Sequence, residues 1–152
     1  MIHIARTTPE HTEYVATHLR QGDKDEIAHA GRTDYAQVVR ESVEVSVFAF
    51  TALHDGVPMC VFGLRPDGIL SRRARLWMLG TPEINTTKKG FVKTCRMVVD
   101  GLLEIYPVLY NLVDAQYPQA HRLLYFLKAD FVKKVTLPTG CPFILFEIRR
   151  KK

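Results

Sequence analysis

RLWMLGTPEINTTKKGFVKTCRMVVDGLLEIYPVLYNLV, residues 75–113, is the stretch that decides the fold. Its first five residues, 75–79, predict a strand. A helix is predicted over 86–105, because apolar side chains recur there at helical spacing and Pro107 follows the helix end. Residues 108–113 are almost all apolar, which is typical of a strand buried on both faces of a sheet. The stretch therefore predicts a strand, a helix and a second strand in succession.

Two helices are predicted upstream of this stretch, after a short first strand at residues 2–4. Thr7-Thr8-Pro9-Glu10 marks the start of the first helix, with a Thr cap, Glu three positions later and Pro in the first turn. Residues 23–31 are small and acidic, and we interpret them as the segment between the two helices. The second helix begins near Asp34.

A hairpin and a C-terminal group of elements complete the pattern. Residues 47–53 and 57–64 read as paired strands, because Asp55-Gly56 between them is a turn dipeptide. A helix opening at Pro118 and strands at 132–136 and 143–148 follow. The order is β-α-α-β-β-β-α-β-α-β-β, which predicts a single α/β domain over residues 1–152, with helices packed on both faces of a mixed sheet.

Composition excludes several classes of protein. The 152 residues are 47% hydrophobic and 24% charged, the profile of an ordinary folded domain rather than a disordered or collagen-like chain. The sequence has no apolar run near the roughly 20 residues that a bilayer requires and no signal-peptide layout at its start, so we expect a cytoplasmic protein without a membrane partner. Three widely spaced cysteines and scattered histidines predict no disulfide framework and no metal site.

Charge is divided unevenly along the chain. Residues 1–70 carry six Lys and Arg against ten Asp and Glu, a net charge of −4, whereas residues 71–152 carry fifteen against six, a net charge of +9. A basic half of this kind indicates a polyanionic partner, which composition alone leaves open between nucleic acid, a phosphorylated cofactor and an acidic protein. Specific nucleic-acid binding is the weakest of the three, because the aromatic residues of the basic half read as core-facing.

The order and spacing of the elements resemble those of the GNAT N-acetyltransferase superfamily over essentially the whole chain. The second half carries the resemblance most strongly, and its helix end Tyr125-Phe126-Leu127-Lys128-Ala129-Asp130-Phe131 looks like the family's Leu-Tyr-x-Lys-x-Gly-Phe pattern. The resemblance implies a mixed, mostly antiparallel sheet of about seven strands. Segments 76–78, 109–113 and 126–128 look most like the acetyltransferase-like proteins of short-tailed bacteriophages, some of which are internal virion proteins.

The resemblance also implies acetyl-CoA as the acyl donor. The family binds the pantetheine arm along a strand edge, which here would be Trp77, Met78 and Leu79. It binds the pyrophosphate at the start of the next helix, where free N–H groups and the helix dipole favour an anion. That loop here would be formed by Asn85, Thr86, Thr87, Lys88, Lys89 and Gly90. The family's loop is rich in glycine, whereas Gly90 is the only glycine in this one, so the phosphate site departs from the pattern.

Catalytic candidates follow from the same resemblance and from topology. The family's Tyr, which protonates the leaving thiolate, aligns with Phe126, and Tyr125 lies one residue earlier, about 100° round the helix. Tyr125 is therefore the candidate acid, on the condition that the helix end carries an extra residue. Asp114 at the end of a strand and His121 near the start of the next helix are the candidate bases. Each also has an ordinary structural interpretation, as a turn residue and a surface residue.

Two functions remain open on the sequence. One is an N-acetyltransferase that transfers acetyl from acetyl-CoA to an amine of a protein or a small molecule. The other is a catalytically degenerate GNAT fold that acts as a phage virion or host-interaction protein, located in the host cytoplasm or the virion interior. In that case, basic clusters such as Lys133-Lys134 and residues 149–152 would contact a phage or host protein.

Overall fold

A computed structural model describes residues 1–151, which form seven strands and five α-helices. The strands are β1 (Ile2–Arg6), β2 (Phe48–His54), β3 (Val57–Pro66), β4 (Arg73–Gly80), β5 (Val108–Asp114), β6 (Asp130–Thr136) and β7 (Pro142–Arg149). The helices are α1 (Pro9–Thr17), α2 (Gln21–His29), α3 (Tyr35–Val45), α4 (Lys88–Ile105) and α5 (Pro118–Phe126), and a short 3₁₀ helix, Pro82–Thr86, precedes α4.

All seven strands belong to one sheet, in the order β1-β2-β3-β4-β5-β7-β6. Every neighbouring pair is antiparallel except β4 and β5, which run parallel and are joined through α4. The predicted fold class, a mixed and mostly antiparallel sheet in an α/β domain, is confirmed. The strand–helix–strand unit read from residues 75–113 is the β4-α4-β5 unit at the centre of this sheet.

Local sequence explains the most regular elements. Asp55 and Gly56 both adopt positive φ, at 50° and 85°, which is the backbone that a tight two-residue hairpin turn between β2 and β3 requires. The Thr8 side chain caps α1 by accepting a hydrogen bond from the amide of His11, and Pro9 occupies the first turn.

The interpretation of residues 23–31 as an acidic connection between two helices is wrong, because most of these residues belong to a helix. Helix α2 runs from Gln21 to His29, so three helices rather than two separate β1 from β2. Its inward face is largely polar, and Ile27 is its one buried apolar side chain. Hydrophobic periodicity therefore gave no sign of the helix.

Helices cover both faces of the sheet. On one face, Val15 of α1, Ile27 of α2 and Val39 of α3 pack with Val61 and Leu79 of the central strands. On the other face, α4 and α5 pack through a second apolar cluster, with Val99, Leu103 and Leu124 against Leu109, Val113 and Phe146. The central strands are consequently buried from both sides. None of the helices within residues 1–151 combines the length and the apolar character needed to cross a membrane.

Candidate active site

A wedge opens in the middle of the sheet where β4 and β5 part. The two strands pair only between Arg73–Arg75 and Val108–Tyr110. Beyond these residues, the rest of β4 stays paired with β3 and the rest of β5 stays paired with β7. The later parts of both strands therefore carry backbone polar groups that face the gap rather than another strand.

Asn111 occupies the apex of the wedge. Its Nδ2 donates to the carbonyl oxygen of Leu76 at 2.9 Å, and its Oδ1 accepts from the amide of Leu112 at 2.7 Å. Arg75 Nη1 also donates to Asn111 Oδ1, at 2.9 Å. The amide side chain thus bonds to a backbone group of each strand at the point where direct pairing between them stops.

Helix α2 crosses the open end of the wedge and contacts both strands. Asp23 Oδ2 accepts from the Gly80 amide of β4 at 2.7 Å, and Glu26 Oε2 accepts from the Asp114 amide of β5 at 2.9 Å. Residues three apart lie on the same face of a helix, so one face of α2 can reach the two strand ends together. The helix missed by sequence analysis is the element that closes this end of the site.

Met78 supplies the backbone groups of β4 that remain available in the wedge. Successive residues of a strand point their backbone groups to opposite edges, so Leu76, Met78 and Gly80 all face away from β3. The Leu76 carbonyl bonds to Asn111, the Gly80 amide bonds to Asp23, and the Gly80 carbonyl accepts from the Arg20 amide at 2.9 Å. Met78 lies beyond the paired residues of β4 and β5, so its N–H and C=O face the gap without a strand partner.

A cleft of about 670 Å³ occupies the wedge and extends between α2, α4 and α5. A volume of this size is typical of small-molecule sites. Five of the nine residues predicted to bind acetyl-CoA line the cleft: Trp77, Met78, Leu79, Asn85 and Lys88. The other four, Thr86, Thr87, Lys89 and Gly90, belong to the same turn and the first turn of α4 but are not part of the cleft wall.

The turn before α4 presents free amides but few free hydroxyls. Thr86 Oγ1 donates to the Glu83 carbonyl oxygen at 2.8 Å and lies 3.0 Å from His54 Nδ1, so it is already engaged. Thr87 precedes α4 without a side-chain capping bond, which leaves the first-turn amides unpaired, as at any helix start. A Cβ at Gly90 would lie 2.9 Å from Thr87 Oγ1, so the glycine allows this close approach.

The three residues predicted to act in catalysis lie outside the cleft. Asp114 is buried, its carboxylate pairs with His29 Nδ1, and its other oxygen accepts from the Gln116 amide at 2.9 Å. His121 Nε2 donates to the Asp114 carbonyl oxygen at 2.8 Å. Tyr125 is 78% exposed and lines a separate shallow groove with His121. The structure thus brings Asp114 and His121 together but directs Tyr125 to solvent.

Two carboxylates of α2 line the cleft instead, in different environments. Asp23 is 2% exposed and accepts hydrogen bonds from Arg20 Nε at 2.9 Å and from Tyr117 Oη at 2.7 Å, besides the Gly80 amide. Burial raises the pKa of the Tyr117 phenol, so it stays a donor to Asp23. Asp23 is therefore fully engaged in holding the site together.

Glu26 is the second of these carboxylates, and it makes no ion pair with a cation within residues 1–151. The pKa of its carboxyl is raised to about 7, chiefly by burial and in addition by the neighbouring carboxylates of Asp23 and Asp114. The hydrogen bond from the Asp114 amide and the charge of Arg20 act in the opposite direction. The result is a carboxyl group that gains and loses its proton near neutral pH at the wall of the cleft.

Sequence analysis missed Asp23, Glu26, Asn111 and Tyr117 as site residues. Asp23 and Glu26 are three residues apart, a spacing that predicts a shared face only if the segment is a helix. Hydrophobic periodicity does not indicate that helix. No metal site appears among them, since residues 1–151 contain no group of three or more His, Cys, Asp or Glu side chains placed to hold a metal ion.

No protein-family model and no curated protein matches the sequence. Solved structures do match. The GNAT-family acetyltransferase from Bacillus anthracis superposes with a TM-score of 0.72 and 9% identity, over 97% of this chain and 94% of that one. The aminoglycoside N(6′)-acetyltransferase from Legionella pneumophila gives 0.74 and 8%, over 97% and 91%. PaiA N-acetyltransferase from Thermoplasma acidophilum, in complex with coenzyme A, gives 0.66 and 17%, over 98% and 99%. The chain therefore has the fold of the GNAT acetyltransferases.

Proposed function

We propose that the protein is an N-acetyltransferase that transfers acetyl from acetyl-CoA to an amine of a protein or a small molecule. The observation that carries the proposal is the wedge, in which the backbone N–H and C=O of Met78 face the cleft without a strand partner. An extended amide-containing chain such as the pantetheine arm can bond to these two groups as an added strand would. Its neighbours Trp77 and Leu79 line the same cleft.

The opening of α4 fits the phosphate end of the same ligand. Asn85 and Lys88 line the cleft next to the unpaired first-turn amides, and Lys88 adds a positive charge there. Thr86, Thr87, Lys89 and Gly90 shape this turn, and we propose that they act with Asn85 and Lys88 on the pyrophosphate. When bound, acetyl-CoA supplies an acyl group already activated as a thioester, so the chain's own residues have to position the amine and remove its proton.

Among the similar structures, the Thermoplasma acidophilum protein is in complex with coenzyme A, and the Legionella pneumophila protein is an aminoglycoside acetyltransferase. These names agree with a CoA ligand and an amine acceptor for this fold. They do not define the acceptor of this chain, because the identities are 17% and 8%. We therefore propose the acceptor only at the level of its chemistry, a primary amine.

Titration calorimetry with acetyl-CoA tests the proposal. We expect binding to the wild-type chain, and we expect Lys88→Glu to weaken it about 10-fold or more, because the reversed charge repels the phosphates. Lys134→Glu is the matched control, since it makes the same change in net charge on the exposed strand β6. Absence of binding by the wild-type chain, or equal loss in both variants, would overturn the proposal.

A catalytically inactive GNAT fold that serves as a phage virion or host-interaction protein is the alternative. Lys133 and Lys134 favour it, because both are exposed on the edge strand β6, where nothing in the cleft requires a positive charge. A phage origin and a location in the host cytoplasm or the virion interior belong to this alternative. Binding of acetyl-CoA without acetylation of any amine, together with a stoichiometric partner that Lys133→Glu/Lys134→Glu releases, would support it.

A further inference from the structure

We infer that Glu26 is the general base that takes the proton from the acceptor amine, an inference that rests on the proposed acetyl transfer. The sequence pointed instead to Asp114 and His121 as the base, neither of which lines the cleft. An amine attacks a thioester through its unprotonated lone pair and has to lose an N–H proton as the amide forms, so we expect a proton acceptor to face the cleft near the open end of the wedge. Glu26 is placed there by α2.

The contacts of Glu26 leave one carboxylate oxygen available. Its Oε2 accepts from the Asp114 amide at 2.9 Å, which fixes the side chain against β5. No donor within residues 1–151 is placed on Oε1, and the residue lines the cleft. One oxygen therefore orients the carboxylate while the other can accept a proton from a bound amine.

The other acidic side chains near the wedge are already engaged. Asp23, the second carboxylate of the cleft wall, accepts from Arg20, Tyr117 and the Gly80 amide. Asp114 pairs with His29 and is buried behind the wall. Of the carboxylates in the described part of the chain, Glu26 alone combines a place in the cleft with an oxygen that no cation or donor occupies.

The charges around Glu26 suit it to this task. Asp23 on its own helix and Asp114 on β5 are negative, Arg20 at the start of α2 is positive, and the Tyr117 phenol stays neutral. His29, one turn further along α2, faces Asp114 rather than Glu26. A carboxyl with a pKa of about 7 is half ionised at neutral pH, and it holds a proton far better than an ordinary glutamate does.

The transfer balances with this one group. An acceptor that enters as an ammonium first loses one proton to bulk water. The amine lone pair then forms the N–C bond, the electron pair of the C–S bond leaves with sulfur, and the N–H proton released as the amide forms passes to Glu26. A thiol has a pKa of about 8.5, so the protonated carboxyl can then give its proton back, through the water of the cleft, to the departing thiolate. The products are the acetylated amine and CoA with a free thiol, and Glu26 is ionised again.

Glu26→Gln is the decisive variant, because the glutamine oxygen still accepts from the Asp114 amide while the base is lost. We expect acetyl-CoA to bind to it as tightly as to the wild-type chain. With a polyamine, a lysine-containing peptide and an aminoglycoside as acceptors, we expect kcat to fall about 100-fold or more. We also expect the wild-type rate to rise with pH through about 7, and this limb to disappear in the variant. Glu44→Gln, on the exposed face of α3, is the matched control.

A readout without turnover completes the test. Carbon-13 NMR of the glutamate carboxyl groups, assigned by the signal missing in Glu26→Gln, should show Glu26 titrating near 7, with acetyl-CoA absent or present. An ordinary value near 4.5, or an unchanged rate and pH profile in the variant, would overturn the role of Glu26 alone. Failure of the wild-type chain to acetylate any of the three amines, although it binds acetyl-CoA, would overturn the proposed function, and the base with it.

Discussion

The two ends of the β4–β5 pair satisfy their backbone groups in opposite ways. At the paired end, Arg73–Arg75 and Val108–Tyr110 bond to each other in the ordinary parallel pattern. At the open end, the same two strands bond to side chains: Asn111 at the apex, and Asp23 and Glu26 on α2. One end is held by backbone pairing and the other by three polar residues.

This difference shows how the protein maintains an opening in the middle of a buried sheet. A buried backbone group without a hydrogen-bond partner costs about 1–3 kcal/mol, so parted strands would tend to close or to admit water. Asp23 and Glu26 prevent this at the strand ends, and Asn111 does so at the apex. The groups of Met78 are left facing the cleft, where a ligand can use them.

The largest expected effect comes from removing the side chain that ties α2 to β4. Asp23→Ala should lower the free energy of unfolding by about 3–5 kcal/mol, because it leaves the half-buried Arg20 guanidinium, the Tyr117 hydroxyl and the Gly80 amide without their acceptor. Urea unfolding followed by circular dichroism measures the loss.

Asp25→Ala is the matched control for Asp23→Ala. Asp25 lies on the exposed side of the same helix, where it accepts one hydrogen bond from Gln21. We expect a change below about 0.5 kcal/mol. Losses of similar size in the two variants would show that the open end does not depend on side-chain bonds from α2, and the contrast with the paired end would fail.

The contrast between the two ends also explains how far the sequence could predict this molecule. The β4-α4-β5 unit was predicted within two residues at each boundary, because its strands and helix show strong apolar patterns. Helix α2 was not, since its inward face consists of polar groups that meet backbone amides. The partners of Asp23 and Glu26 lie 57 and 88 residues away in the chain, so only the folded structure brings them together.

The same reasoning applies to the site. Trp77, Met78 and Leu79 could be predicted as cleft residues, because the resemblance to the GNAT superfamily implies a ligand along this strand edge, and all three line the cleft. Tyr125 could not be oriented from the sequence, because a shift of one residue turns a side chain by about 100° round a helix. In the structure that rotation directs the side chain out to solvent.

An effect of intermediate size concerns Glu26, which joins α2 to β5 by accepting from the Asp114 amide, and this effect depends on pH. The folded-state pKa of Glu26 is raised from 4.5 to about 7, so the folded protein binds this proton more tightly than the unfolded chain does. The contribution of this group to the free energy of unfolding is therefore largest below about pH 4.5, and it is lost as the pH rises through 7. We expect Glu26→Gln, which has no proton to lose, to be more stable than the wild-type chain at pH 9 by up to about 3 kcal/mol, but not at pH 4.

Urea unfolding of both proteins between pH 4 and pH 9 measures this difference. Glu44→Gln, which removes an exposed carboxylate of α3, should give a difference that stays flat across the range. A flat difference for Glu26→Gln as well would mean that Glu26 is solvated like a surface residue. The open end would then resemble an exposed strand edge rather than a recessed polar site.

The smallest expected effect separates two tyrosines of the same helix region. Tyr117→Phe removes one of the donors to Asp23, so it should cost about 1 kcal/mol at the open end. Tyr125→Phe removes a hydroxyl from a side chain that is 78% exposed, so both stability and acetyl transfer should stay within error of the wild-type values. Unfolding and rate measurements on both variants check these expectations.

The rate of Tyr125→Phe also decides whether Tyr125 or Glu26 protonates the departing thiolate. A large loss of kcat in Tyr125→Phe, with stability unchanged, would mean that the end of α5 turns inward when acetyl-CoA binds and that this tyrosine protonates the thiolate. Wild-type kcat in that variant would leave the proton transfers to the carboxylate of α2, at the end of the wedge where side chains rather than strands hold the sheet open.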